Sequence, residues 1–129
     1  MQYVKINLTE LHLEYELWSK ELTYWRDEIK VLEKYLLELD YKKIPAEAGA
    51  EVEHFQNQFI RHRDVVHDLR HEVSKYEHLI KDIERVNGNE ELQETLLGIH
   101  TELRERINTG RKIYSELKEE FRTWLVKRV

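Results

Sequence analysis

A chain of 129 residues carrying a formal charge of −5, with acidic and basic residues interspersed, offers no field that would draw in a nucleic-acid backbone. The lack of cysteine excludes disulfides, thiol catalysis and thiolate metal sites, and agrees with a reducing, cytoplasmic setting. Charged residues make up 36% of the chain while one proline and four glycines interrupt it, which favours long helices in a single domain over 1–129.

Met1 to Ile6 alternates polar and apolar residues too briefly for a structural element and is expected to be a short extended arm. Asn7, followed three residues later by Glu10, has the spacing of a helix N-cap. From there Leu8, Leu11, Tyr15, Trp18, Leu22, Trp25, Ile29, Leu32, Leu36 and Leu39 alternate three and four residues apart, the period of an apolar helix seam. The first helix is expected over about 8–40. Pro45 closes the stretch from Asp40 and suits the first turn of a new helix, so a turn is predicted near Tyr41 to Ile44.

The second helix, about 45–87, continues through Val52, Phe55, Phe59, His62, Val66, Leu69, Val73, Tyr76, Ile80 and Ile83. Asn87 and Gly88 form a stop and Asn89 a cap for the third helix, about 90–127. Its stripe runs Leu92, Leu96, Ile99, Leu103, Ile107, Gly110, Tyr114, Leu117, Phe121 and Trp124, and the step from Leu103 to Ile107 reads as a stutter. Short turns between long helices predict an all-α fold, an antiparallel up-down-up three-helix bundle with long coiled-coil-like helices. Counting from the turns brings Trp25, His62 and Tyr114 to one height, and Trp18 near Leu69 and Gly110, where the glycine would leave space for an indole.

This layout is similar to spectrin-type repeats, which also carry tryptophan on their first and third helices; the likeness is one of fold alone. Glu51 to Phe59 (EVEHFQNQF), Arg70 to His78 (RHEVSKYEH) and the Trp-containing basic end resemble stretches in a group of small helical proteins of Bacteroidetes. That resemblance implies no activity.

Histidine is the unusual ingredient, concentrated on the second helix at His54, His62, His67, His71 and His78. His62 falls on the seam and needs a partner for its ring nitrogens, with Tyr114 or Glu28 at a suitable height. Asp64, His67, Asp68 and His71 share one helix face. They have the ligand types for a transition metal, but one exposed face lacks the further ligands and shelter that a metal centre needs. Glu51 and His54 form one Glu-x-x-His pair where a di-iron bundle would need two, with two further inward glutamates.

Gly-rich phosphate loops, zinc-protease helices and nucleophile elbows are all missing from the sequence. No catalytic, cofactor-binding or metal-ligating residue is therefore assigned, no cofactor is expected, and the chain does not read as an enzyme. Neither a signal peptide nor a stretch of about 20 apolar residues is present, so no membrane is expected. Apolar residues off the seams, namely Tyr24, Val31, Leu37, Ile60, Leu97, Ile113, Leu125 and Val126, point to a protein partner or a homo-oligomer reached through a helical face. An interaction or structural module is the first reading; a metal-binding protein using the His-rich second helix is the alternative.

Overall fold

The computed structural model describes residues 7–39, 45–82 and 89–128, which form three helices and no strand. α1 spans Leu8–Leu37, α2 spans Gly49–Lys81 and α3 spans Glu90–Arg128. At 1.5 Å per residue these are rods of roughly 45, 50 and 58 Å. The expected arm at Met1 to Ile6, the turn at Tyr41 to Ile44, the core position Ile83 and the stop at Asn87 and Gly88 lie outside the described residues.

Both polar caps form as their sequences predict. The side chain of Asn7 accepts from the Glu10 N–H at 3.1 Å, and that of Asn89 accepts from the Leu92 N–H at 3.1 Å, each satisfying a backbone donor at a helix start. α2 begins later than Pro45 suggested. Pro45 has an extended ψ of 143° and precedes a single 3-10 turn, Ala46–Ala48, in which the Ala48 N–H reaches the Pro45 carbonyl. The tighter i to i+3 bonding of that turn leads the chain into α2 at Gly49.

The seams of α1 and α2 pack as read. Leu11, Tyr15, Trp18, Leu22, Trp25, Ile29 and Leu36 are buried from α1, with Leu8, Leu32 and Leu39 packed partly buried against them. Val52, Phe55, Phe59, His62, Val66, Leu69, Val73 and Ile80 are buried from α2, with Tyr76 at the margin.

α3 corrects the expectation. Its buried positions are Leu96, His100, Leu103, Ile107, Gly110, Tyr114, Leu117 and Phe121, an unbroken alternation of four and three residues. There is no stutter: His100 takes the place assigned to Ile99, which is only half-buried. Period outweighs residue polarity here, because His100 finds a polar partner, Glu14, on α1.

Side-chain pairs fix the direction of each helix. Glu14, Glu21 and Glu28 of α1 meet Arg104, Arg111 and Lys118 of α3, each pair separated by the same number of residues, so α1 and α3 run parallel. Phe59 packs on Phe121, and His62 on Tyr114, so numbers rise on α2 as they fall on α3. The bundle is up, down, up. No helix among the described residues is long and apolar enough to cross a membrane.

Candidate functional site

Among the described residues, two polar layers interrupt the apolar core, each built around a histidine. In the first, His62 is buried and stacks on Tyr114 with centroids 4.9 Å apart and ring planes 7° from parallel, while Trp25 lies 6.1 Å from the imidazole. The layer of Trp25, His62 and Tyr114 therefore forms as the helix heights predict. Neither suggested partner hydrogen-bonds the imidazole, and its Nε2 has none. The Tyr114 hydroxyl instead donates to Glu28 at 2.5 Å, and Lys118 reaches the same carboxylate at 2.9 Å. Burial pushes the His62 imidazole down to about 4, so it is neutral at pH 7. Burial also works against the Glu28 charge, but its bonds from Tyr114 and Lys118 prevail and hold that carboxyl below its usual range.

Sequence reasoning missed the second layer. His100 is fully buried, edge-on to Tyr15 at 4.8 Å and stacked on Trp18 at 4.7 Å. Its Nε2 bonds Glu14, whose carboxylate also accepts two bonds from Arg104, at 3.0 and 2.7 Å. A carboxylate only accepts, so Nε2 carries the proton and the unpartnered Nδ1 is bare. Burial, opposed by Glu14, lowers the His100 pKa, while the Arg104 guanidinium, opposed by burial and helped by His100, lowers that of Glu14. The layer is thus a neutral imidazole on an ionised carboxylate. The available signal was the seam itself: an unbroken period after Leu96 demands position 100.

Gly110 was expected to accommodate Trp18, yet Trp18 belongs to the His100 layer. The Trp25 indole and Leu69 lie over the glycine, 3.8 and 3.7 Å from where a Cβ would stand, which is ordinary contact distance. A methyl group would fit.

The sequence's metal candidates do not converge. Asp64, His67, Asp68 and His71 are all exposed on α2. Glu51 accepts from the Trp124 indole and pairs with Arg128 at 2.7 Å, and His54 packs edge-on to Phe55. These residues line an open groove of about 910 Å³ between the start of α2 and the end of α3. A different trio does come together: ligand atoms of His12, Glu16 and Glu77 all lie within 4.8 Å of one another across α1 and α2.

An apolar row also lies on the outer surface of α1. Leu13, Leu17, Tyr24, Val31 and Tyr35 are each between 51% and 59% exposed. At 3.6 residues per turn they fall within an arc of about 40° on α1, centred about 135° from the buried seam. α1 is therefore apolar on two faces, of which the bundle covers one. Of the off-seam residues singled out in the sequence, Tyr24 and Val31 belong to this stripe and Leu125 is half-buried against the core. Leu37, Ile60, Ile113 and Val126 are exposed elsewhere. The chain matches no family model, no curated protein and no solved structure.

Proposed function

We propose that this chain is a non-enzymatic interaction module that docks a partner helix along the outer face of α1. The observation that carries this reading is the stripe of Leu13, Leu17, Tyr24, Val31 and Tyr35, which runs most of the length of a helix whose opposite face already fills the core. Leaving five large apolar side chains in water on one narrow face contributes nothing to the bundle, and a second helix laid along them would bury them in coiled-coil fashion. The two polar layers have a structural task in this reading: they fix α1 against α2 and α3, so that the outer face is presented on a rigid rod. A cytoplasmic location, favoured by the absence of cysteine, belongs to the same proposal.

A photo-crosslinking amino acid placed at position 24 or 31, in cells producing the protein, should yield discrete adducts. The same group at His67 or His71, on an exposed face of α2, should yield none. Equal labelling from all four positions would refute a docking role for α1.

A metal-binding reading has one observation in its favour, the His12, Glu16 and Glu77 cluster, whose imidazole and carboxylate atoms are ligand types that zinc accepts. It differs from the His-rich face that the sequence suggested. If docking is the function, zinc at ten times the protein concentration should leave the melting temperature nearly unchanged. A tight site would raise it in proportion to the logarithm of metal concentration, and His12→Ala would abolish the rise.

A further inference from the structure

We infer that the partner on the outer face of α1 is a second copy of this chain, packed antiparallel with Tyr24 at the two-fold axis. This rests on the docking role proposed above and names its occupant. A symmetric dimer requires a patch that is complementary to itself, so that what residue i meets at j is returned by j meeting i. The stripe meets that demand in its spacing. From Leu13 to Leu17, Tyr24, Val31 and Tyr35 the steps are four, seven, seven and four residues, the same read in either direction. Turning one copy end over end about Tyr24 sets Leu13 on Tyr35, Leu17 on Val31 and Tyr24 on Tyr24.

The charges beside the stripe agree with that direction and disagree with the other. In an antiparallel pair each flank meets the same flank of its copy. On one side, the helix repeat places Glu16, Lys20, Asp27, Lys34 and Glu38, the last two paired within the helix; Lys20 comes within one residue of facing Asp27 and Lys34 within two of facing Glu16, and symmetry repeats both pairings. The other flank holds Glu14, Glu21 and Glu28, each already bonded to Arg104, Arg111 or Lys118 of its own α3, so this acidic edge meets its copy neutralised. A parallel pair would lay this flank against the other, whose carboxylates already hold their own α3 cations, and would make neither of the two pairings.

Each half of the stripe, from Leu13 to Tyr24 and from Tyr24 to Tyr35, spans eleven residues, close to three full turns, which keeps both ends on the face of Tyr24. The contact is about 33 Å long at 1.5 Å per residue. That places it at the small end of specific interfaces, near about 1,200 Å² in total, and the dimer should dissociate on dilution.

The absence of native cysteine makes a clean test possible. Single variants Tyr24→Cys, Leu13→Cys and Tyr35→Cys are oxidised mildly at high protein concentration with a chelator present, after circular dichroism has shown that each melts like the parent. Two antiparallel helices with axes about 9 Å apart bring facing Cα atoms on the two-fold to about 4–5 Å, within disulfide reach, whereas Leu13 and its own copy would stand about 33 Å apart. Tyr24→Cys should therefore cross-link to itself at least tenfold more than Leu13→Cys or Tyr35→Cys does, and a mixture of the latter two should form the mixed disulfide. Sedimentation of the parent should show mass rising from one chain toward two with concentration. Self-linking of Leu13→Cys as efficient as that of Tyr24→Cys would overturn the antiparallel arrangement. A parent that stays monomeric at several hundred micromolar, with no cross-link, would overturn self-association altogether. The docking reading would survive that result if photo-crosslinking at position 24 still yields an adduct with another protein, and would fall with it if not.

Discussion

His62 and His100 occupy equivalent seam positions yet have different surroundings, and the difference decides what each contributes. His62 stacks on Tyr114 but leaves Nε2 without a partner, so its polarity costs stability. His100 donates a hydrogen bond from Nε2 to Glu14. Replacing His62 with Leu should leave the protein at least as stable as the parent. Replacing His100 with Leu should be costlier than that by about 1–2 kcal/mol, because it alone removes a hydrogen bond to a charged group. Urea denaturation of the two variants at pH 7 checks this, and equal stabilities would deny the Glu14 bond any weight.

The pH dependence follows from the same burial. Between its unfolded value of 6.5 and its folded value of about 4, His62 binds fewer protons folded than unfolded. Its neutral form is thus fully accommodated above 6.5, and stability falls as the pH drops toward 4; His100, also lowered, acts in the same direction. The gap between His62→Leu and the parent should therefore widen from pH 7 to pH 5. A gap that narrows would mean that His62 is protonated in the fold. His62 was legible in the sequence because it broke an otherwise apolar run. His100 was not, because Ile99 stood beside it and offered an apolar alternative one residue out of phase.

At the scale of the helix, the contact between α1 and α3 is a ladder with a rung every seven residues, at Glu14 with Arg104, Glu21 with Arg111 and Glu28 with Lys118. One register joins all three rungs, so sliding α3 along α1 would break them together. The middle rung suits a test because Glu21 accepts two bonds from Arg111, at 2.9 and 2.6 Å, without contact to a buried histidine. Both side chains are about a third or more exposed, which limits the pair to roughly 0.5–1 kcal/mol. Glu21→Arg and Arg111→Glu should each lower stability by about that amount, and the double variant should recover most of it. The recovery should shrink in 0.5 M salt; a double variant as unstable as the sum of the singles would show that the rung carries no specificity. The inner seams were readable because the alternation of three and four residues places ten core positions along α1 without a break. The outer stripe was only half-read, through Tyr24 and Val31: Leu17 shares their heptad position, but Leu13 and Tyr35 lie one turn beyond it at either end, off that register.

For the molecule as a whole, the core is one continuous cluster to which all three helices contribute, running from Leu11 and Leu96 at one end to Leu36, Val52 and Phe121 at the other. No helix has a second layer of its own to fall back on, and in proteins most helical stability comes from packing an amphipathic face. Stability should therefore be cooperative across the full rod. Leu22 and Val66 test this from two different helices, being 0% and 1% exposed at mid-seam. Aspartate at either position would bring an unpaired carboxylate into the core and should cost several kcal/mol, a large share of the roughly 5–15 kcal/mol available to a domain. The informative readout is where the loss spreads. If the bundle is one cooperative unit, Leu22→Asp should strip protection from α3 amides in hydrogen exchange as strongly as from those of α1, and Val66→Asp should do the same from α2. Loss confined to the substituted helix would mean that the helices melt separately. Retention of the parent's melting curve by both variants would show that the seams are misassigned.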